Sequence, residues 1–321
     1  MGVDVLSDLS LKQSLQYTQT LLDRSDHYRR SPEKIAELRE DPACRVFPVY
    51  QSKHLFINSV DPVVAVKSQI DPSLCQGFSA FLGIKDDTPY FSVSCNDSTA
   101  LAWTRHYPES CFTDLRSLGG TLQGSIASIL AYSRGLDHWH SNNCYCSKCG
   151  GKTRIEAAGH MMKCQACGAE TFPRTDPAVI MLVEHCDSAG HKRCLLGRSP
   201  AWPEGCYSTL AGFVETGESI ESAVIREVFE ETAITVSNPV YVTSQPWPFP
   251  QSLMLGFTAT AEDADILLDQ HELADAKWYS VEEIASFGEW ADDSSGPKLP
   301  RVDSIARFLI DNWVSENVKT R

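Results

Sequence analysis

The stretch that decides the fold covers Gly212–Ile234 and reads GFVETGESIESAVIREVFEETAI. It predicts a glycine turn followed by a helix, with Ser219 as the N-cap. The C-terminal part of this helix carries three carboxylates, Glu227, Glu230 and Glu231. Because the negative end of the helix macrodipole repels acids, their presence there needs a compensating charge. A divalent cation bound by the carboxylates would supply it.

Helical periodicity indicates how the side chains of this helix are arranged. At about 100° per residue the three acids fall on one arc, with Glu227 and Glu231 almost in line. The broadly opposite arc is expected to face the core, and its members are Val224, Ile225, Val228 and Phe229. A site made only of carboxylates favours Mg²⁺ or Mn²⁺ over zinc. The alternative explanation of the acids by themselves is a solvated helix face.

Composition limits the class of protein. A chain of 321 residues is long enough for two domains and a small insert. Its formal net charge of −14 disfavours general polyanion binding, since phosphates need local cations. Twelve cysteines in a long chain that begins without an apolar signal segment favour a reducing, cytoplasmic setting. No apolar run is long enough to span a bilayer, so no membrane partner is expected.

Four cysteines form two C-x-x-C pairs separated by fourteen residues, and these are Cys146, Cys149, Cys164 and Cys167. This spacing suits tetrahedral coordination of zinc by four thiolates. Gly150 and Gly168 follow the pairs directly and permit the tight turns that such a site needs. With four thiolates bound no coordination position stays open, so the zinc is expected to be structural. The alternative is a pair of disulfides, and Cys144 is expected to lie outside the cluster.

A proline-aromatic segment follows the acidic helix and reads QPWPFPQS over residues 245–252. Its three prolines fix backbone angles and remove donors, which predicts a rigid, non-helical wall. Trp247 and Phe249 offer flat faces to a nucleotide base. Gln245, Gln251 and Ser252 offer hydrogen bonds. The alternative is a proline-rich loop that covers a core.

The remaining pattern predicts an α/β chain with domain bounds at 1–140, 141–172 and 173–321. Helices are expected over Leu9–Leu22, Pro32–Arg39, Ser117–Leu136, Val281–Ser286 and Val302–Val314. Strands are expected over Val46–Tyr50, Val63–Val66, Phe78–Ile84, Phe91–Cys95, Ala178–Glu184, Cys194–Gly197, Tyr207–Ala211, Val240–Ser244, Leu253–Ala261 and Ala276–Tyr279.

These motifs carry a resemblance to a known family. The pattern G-x5-E-x7-R-E-V-x-E-E-x-A-I resembles the Nudix box, although the family usually has Gly where this chain has Ala233. The segment SQPWPFPQS is similar to the one found downstream of the box in NADH pyrophosphatases, which also carry a four-cysteine zinc ribbon. The resemblance covers roughly Trp139 to the C-terminus, and before that only scattered residues such as Asp114-Leu115-Arg116 match.

The resemblance implies a fold and a set of site residues. The fold is a Nudix α/β/α sandwich with a mixed sheet, preceded by a zinc ribbon and an N-terminal α/β domain. The implied catalytic residues are Glu227, Glu230 and Glu231. The implied ligands of Mg²⁺ or Mn²⁺ are Glu227, Glu231, Glu272 and the carbonyl of Ala211, and those of zinc are the four cysteines. The implied substrate contacts are Phe172, Phe213, Gln245, Pro246, Trp247, Pro248, Phe249, Pro250, Gln251, Ser252 and Ala306. Arg226 is expected to pair with a helix carboxylate or Glu218.

The implied activity is metal-dependent hydrolysis of the pyrophosphate in NADH or NAD⁺ to nicotinamide mononucleotide and AMP. Removal of an NAD cap from RNA breaks the same bond and is equally implied. The rivals are a Nudix hydrolase of ADP-ribose or dinucleoside polyphosphates, and a non-catalytic nucleotide sensor or zinc-ribbon adaptor. Related enzymes are homodimers, so a homodimer is expected. Peroxisomal relatives keep that compartment open, although the C-terminal VKTR is not a Ser-Lys-Leu signal.

Overall fold

The computed structural model describes residues 15–19, 22–58, 61–75, 77–122, 124–290, 292–293 and 295–318. These residues divide into two compact units. The N-terminal unit consists of Tyr17–Thr175 and Trp247–Gln251. The C-terminal unit consists, within the described ranges, of Asp176–Pro246, residues 252–318, Leu15 and Gln16. No described helix combines the length and the hydropathy that crossing a membrane requires.

The N-terminal unit contains two sheets and three α-helices among its described residues. Its strands are β1 (Arg45–Tyr50), β2 (Lys53–Ile57), β3 (Asp61–Pro62), β4 (Ala65–Val66), β5 (Phe78–Lys85), β6 (Thr88–Ser94), β7 (Ser110–Thr113), β8 (Thr153–Glu156), β9 (Met161–Cys164) and β10 (Glu170–Thr171). Its helices are α1 (Pro32–Glu40), α2 (Asp97–His106) and α3 (Gly124–Asn142), with 3₁₀ turns at Asp26–Arg30, Lys67–Gln69, Pro72–Cys75, Leu115–Leu118 and Ala157–Gly159. The larger sheet has the order β3-β2-β1-β6-β5, with β4 beside β1, β7 beside β2, and β1 parallel to β6. Strands β10-β9-β8 form a separate antiparallel sheet.

The sequence located α1 and the strands β1, β4, β5 and β6, missed α2 and the other six described strands, and misplaced two helices. The helix predicted over Leu9–Leu22 lies partly outside the described residues, and residues 15–19 form a turn in which Tyr17 has a φ of 68°. The helix predicted over Ser117–Leu136 instead begins at Gly124 and extends to Asn142. Its start is displaced because Asp114 caps a 3₁₀ turn over Leu115–Leu118. The domain boundary predicted at residues 140/141 falls within the last turn of α3, and the two compact units instead meet in the chain at Thr175/Asp176.

The C-terminal unit is built on one mixed sheet. Its strands are β11 (Asp176–Cys186), β12 (Lys192–Arg198), β13 (Leu210–Phe213), β14 (Val236–Trp247), β15 (Ser252–Ala261) and β16 (Asp275–Tyr279). Its helices are α4 (Ile220–Thr232), α5 (Val281–Ile284) and α6 (Ile305–Val318). Among the described residues the strand order is β14-β15-β11-β12-β16, with β13 paired to β11 and β15 parallel to β11.

Strand β11 shows why this unit is a sandwich. Its side chains alternate between the two faces of the sheet. Val179, Met181 and Val183 belong to a core cluster that includes Val224 and Val228 of α4. Ile180 and Leu182 belong to a second cluster that includes the apolar residues of α6. One central strand thus supplies both cores, and the predicted α/β/α arrangement with a mixed sheet is confirmed.

Candidate metal and nucleotide site

Helix α4 carries the carboxylates predicted to bind metal, and it turns them toward the interior. Ser219 is its N-cap, as predicted, because its hydroxyl accepts from the amide of Ser222 at 3.1 Å. Glu227 and Glu231 are only 8% and 5% exposed. The arc predicted to face the core consists of Val224, Ile225, Val228 and Phe229, and only two of these four residues are buried.

Val224 and Val228 are fully buried, whereas Ile225 and Phe229 are exposed, Phe229 by 55%. The reason is angular, because Glu231 lies between Glu227 and Val224 on the helix and these side chains share one buried face. The acids therefore border the core instead of opposing it.

Three carboxylates meet at this face. One oxygen each from Glu227, Glu231 and Glu272 lies within 4.8 Å of the others. Gly212 of β13 makes room for them, since a Cβ at that position would lie 1.8 Å from the carboxyl carbon of Glu227. Ala211, the predicted carbonyl ligand, directly precedes this glycine on the same strand. The structure thus brings together the residues predicted from the box and the downstream acid.

Burial and mutual repulsion perturb the acids. Burial, reinforced by the charges of Glu227, Glu272 and Glu230, raises the pKa of Glu231 to about 8. Burial also raises the pKa of Glu227, although its bond to Arg226 opposes the effect. Oε2 of Glu231 is buried and has no hydrogen-bond partner among the described residues. A buried carboxylate oxygen without a partner is costly, so the cluster suits a cation.

Arg226 forms ion pairs with helix carboxylates and with Glu218, as predicted. Its Nη2 donates to Glu218 at 2.6 Å and to the carbonyl oxygen of Phe213 at 2.9 Å. Its Nη1 donates to Glu227 at 3.0 Å and to Glu230 at 2.8 Å. Glu230 is exposed and engaged by this guanidinium, so the structure places it beside the carboxylate cluster, outside the group of three.

The helix ends at Ala233, where the family usually has glycine. Ala233 adopts φ 58° and ψ 13°, the left-handed conformation, and its amide donates to the carbonyl of Phe229 at 2.7 Å. Alanine thus takes the conformation that glycine adopts readily, and the substitution leaves the geometry of the helix exit glycine-like. An L-residue pays about 1–2 kcal/mol for it.

The four predicted cysteines converge in the N-terminal unit. Their sulfurs all lie within 4.8 Å of one another, with Cys146 and Cys167 at 3.8 Å and Cys149 and Cys164 at 3.5 Å. All twelve cysteines are free, so the disulfide alternative is not supported. Tetrahedral zinc with bonds of about 2.3 Å requires sulfurs about 3.8 Å apart, which fits the observed spacing.

Local backbone geometry prepares this cluster for a metal. Gly150 and Gly168 have φ of 73° and 74°, which are the predicted tight turns. The amide of Cys167 donates to the sulfur of Cys164 at 3.4 Å. This bond is the main reason why the pKa of Cys164 is lowered to about 6, which favours the thiolate that zinc needs. Cys144 lies outside the group, as predicted.

Gln245 begins the proline-aromatic segment and is fully buried. Its Nε2 donates to the carbonyl oxygens of Gln16 and Asp303 at 3.0 and 2.7 Å, and its Oε1 accepts from the amide of Ile305 at 2.8 Å. The predicted substrate hydrogen bond from Gln245 is therefore corrected, because this geometry commits its amide to the protein interior.

The rest of the segment is non-helical, as predicted. Trp247 ends β14, and the following residues form turns until β15 begins at Ser252. Trp247 and Phe249 are half-buried and pack against the core cluster of the N-terminal unit. Their rings meet edge to face at 5.1 Å between centroids. Pro248 is buried, whereas Pro246 and Pro250 are exposed and Gln251 is intermediate.

The other predicted substrate contacts differ in accessibility. Phe172 and Phe213 are both 59% exposed, so their rings are accessible to a ligand. Ala306 is buried in the cluster around α6, so the structure places its methyl group in the core. Sequence reasoning missed Tyr17 and Arg134, which contact the segment in the N-terminal unit. In the sequence, the resemblance of Asp114-Leu115-Arg116 to the family was the one indication that this region matters.

Two models of known domain families match parts of the chain. A NUDIX domain model matches residues 175–298, and a model of the NADH pyrophosphatase zinc ribbon domain matches residues 141–172. The NAD-capped RNA hydrolase NudC of Pseudomonas aeruginosa is 42% identical over 189 residues, which are 58% of this chain and 61% of the relative. The protein of the same name from Stutzerimonas stutzeri is 36% identical over 211 residues, which are 66% of this chain and 70% of the relative.

Among solved structures, a NUDIX hydrolase from Nitrosomonas europaea matches with 20% identity and a TM-score of 0.44, covering 55% of this chain and 93% of its own. The matched region spans 61% of the length of the Pseudomonas relative.

Proposed function

The chain belongs to the NudC family of Nudix hydrolases with a zinc ribbon, and on that premise we propose that it hydrolyses the pyrophosphate bond of NADH or NAD⁺. The products are nicotinamide mononucleotide and AMP. One observation carries the proposal, namely the convergence of Glu227, Glu231 and Glu272 at a buried face where Glu231 Oε2 has no partner among the described residues.

The donor set decides which metal fits. The carboxylate group offers only oxygen ligands, which suit Mg²⁺ or Mn²⁺. Glu227, Glu231 and Glu272 would hold the ion, with the Ala211 carbonyl as the proposed further ligand. When bound, such an ion neutralises phosphate charge and lowers the pKa of a bound water. The four cysteines would hold one structural zinc.

The residues around the acids fix their positions before substrate arrives. Arg226 holds Glu227 from one side, and Gly212 lets the Glu227 carboxylate lie directly over β13. Glu231 is locked by burial. Such preorganisation lowers the barrier because the acids need not reorient during the reaction. The exposed ring of Phe213, which follows Gly212, is proposed to contact a nucleotide base.

A product assay tests the proposal. NADH, NAD⁺, ADP-ribose and NAD-capped RNA are each incubated with Mg²⁺ or Mn²⁺, and the released nucleotides are separated. Production of AMP and nicotinamide mononucleotide from NADH or NAD⁺ supports the proposal. Turnover of ADP-ribose alone would instead support the generic Nudix hydrolase, and no turnover of any substrate would favour a nucleotide sensor.

A variant of the central acid sharpens this test. Glu231→Gln should lower turnover by at least about 1000-fold, because the amide cannot supply the anionic ligand. Nucleotide binding should remain measurable by calorimetry. Glu221→Gln is the matched control, since Glu221 is an exposed acid in the first turn of the same helix and should leave activity unchanged. Retained turnover in Glu231→Gln would contradict the assignment.

Removal of the NAD cap from RNA is the second proposed activity. The names of the Pseudomonas and Stutzerimonas relatives favour it. Because the bond is the same, the carboxylates cannot distinguish the two substrates. Comparing kcat/KM for NADH and for NAD-capped RNA on one preparation decides between them.

A homodimer is also proposed, on the resemblance to dimeric enzymes. Sedimentation of the full chain checks it, and a monomer that is fully active would contradict it. The free state of all twelve cysteines agrees with the proposed reducing compartment. Localisation of a tagged full chain distinguishes the cytoplasm from the peroxisome.

A further inference from the structure

Prolines limit the hydrogen bonds that the backbone of the loop Trp247–Gln251 can donate. Prolines at 246, 248 and 250 cannot donate. Within the loop, the amide of Phe249 donates to the carbonyl oxygen of Trp247 at 2.7 Å. Pro248 is buried, and a buried carbonyl needs a donor. The loop therefore depends on groups from elsewhere to hold its shape.

Arg134 of α3 supplies that donor. It is 9% exposed, and its Nη1 donates to the carbonyl oxygen of Pro248. Its guanidinium carbon also lies 4.8 Å from the ring centroid of Phe249, within the range of a cation–π contact. One planar group thus holds both the backbone and an aromatic side chain of the loop. A lysine could not make both contacts with the same geometry.

The Arg134 side chain is itself held in place. Its Nη2 lies 3.7 Å from Oδ2 of Asp114, whose other oxygen accepts from the amide of Arg116 at 2.8 Å. Leu115, between them, is fully buried in the cluster against which Trp247 and Phe249 pack. Residues 114–116, to which the sequence assigned no function, therefore hold the side chain of Arg134 in place.

Tyr17 also packs against the loop. Its ring meets those of Trp247 and Phe249 edge to face, at 6.2 and 6.0 Å between centroids. Tyr17 is 3% exposed, so the two loop rings rest on a fixed surface. Arg134 and Tyr17 both belong to the N-terminal unit, as does the loop by its contacts.

We propose that Arg134 is a positioning residue for substrate binding, and that the N-terminal unit serves to shape the Trp247–Gln251 loop. The proposal rests on the proposed function and on the resemblance, which implies that Trp247, Pro248, Phe249, Pro250 and Gln251 contact the substrate. A wall that contacts the nucleotide before and during the reaction contributes equally to both states. Its loss raises KM and leaves kcat nearly unchanged.

The test compares Arg134→Met with Ser133→Ala. Ser133 is the neighbouring buried residue on α3 and bonds to Ser92, away from the loop. We expect Arg134→Met to raise KM for NADH by about tenfold or more, with kcat within about threefold, because a charge-assisted hydrogen bond is lost. Ser133→Ala should change neither value by more than about twofold, since a neutral bond far from the loop contributes less. An equal KM in Arg134→Met and the wild type, or an equal rise in both variants, would overturn the proposal.

Two further measurements keep the test decisive. Asp114→Asn removes the support of the arginine at a partly exposed site and should raise KM in the same direction by a smaller factor. Hydrogen–deuterium exchange of peptides spanning 244–253 should be faster in Arg134→Met and unchanged in Ser133→Ala. A wild-type protein that does not turn over NADH overturns the proposed function, and the exchange result then decides the anchoring by itself. Unchanged exchange in Arg134→Met overturns the anchoring.

Discussion

Replacing Ala233 with glycine should stabilise the protein, although glycine usually weakens a helix. Ala233 is the C-cap of α4 and has φ 58°. The left-handed conformation costs an L-residue about 1–2 kcal/mol, and glycine avoids this cost. Glycine also makes the unfolded chain more flexible, which costs about 0.5–1 kcal/mol. The lost contacts of a half-buried methyl group cost a few tenths, at about 0.8 kcal/mol per buried group.

The three contributions leave a net gain of about 0.5 kcal/mol for Ala233→Gly. A matched control isolates the conformational part. Ala201 lies in an exposed turn of the same unit and has no positive φ, so Ala201→Gly carries the entropy cost without the relief. It should destabilise the protein by about 0.5–1 kcal/mol.

Urea unfolding followed by circular dichroism measures both variants at equal protein concentration. The free energies of unfolding of the two should differ by about 1 kcal/mol or more, in favour of Ala233→Gly, provided the m-values agree. If Ala233→Gly loses as much stability as Ala201→Gly, then position 233 is not strained. The reasoning from its backbone conformation would be refuted.

Two other predictions concern the acids of the site. Gly212→Ala places a Cβ 1.8 Å from the carboxyl carbon of Glu227, so turnover should fall at least about 100-fold by displacement of a ligand; a variant with wild-type kcat would exclude this packing. In the metal-free protein the pKa of Glu231 is raised from 4.5 to about 8. Between these two values the folded protein keeps a proton that the unfolded chain has released, so the free energy of unfolding should fall as the pH rises from 4.5 to about 8. Thermal melts without divalent cations should therefore show Glu231→Gln more stable than the wild type at pH 8 and similar at about pH 5, whereas parallel curves would contradict the shift.

The sequence predicted the central strands and the zinc cluster because local signals determine them. Strand β11 is a long apolar run, and a strand buried on both faces needs no more than that. The cysteine pairs and their glycines specify two tight turns with sulfurs at fixed spacing, and the structure shows the expected positive φ at both glycines. These features depend on residues within a few positions of one another.

Features that depend on distant residues could not be read in this way. The amide of Gln245 is bonded to residues 58 and 60 positions away, so nothing near it in the chain indicates that it faces the interior. A helical wheel gave the angles on α4 correctly but not which arc is buried. The buried arc includes Glu227, for which Gly212 of a neighbouring strand makes room, and excludes Ile225 and Phe229.

The burial of Glu231 decides between the two explanations of the acidic helix. A solvated face would leave this carboxylate in water, yet it is 5% exposed and its Oε2 has no partner among the described residues. Arg226 neutralises Glu227, Glu218 and Glu230 but makes no hydrogen bond or ion pair with Glu231 among the described contacts. A buried carboxyl group without a partner is costly whether it carries its charge or holds a proton, and an apolar residue of similar volume would stabilise the fold better. The stability of the fold therefore does not explain this position, and the buried carboxyl group supports the proposed cation site.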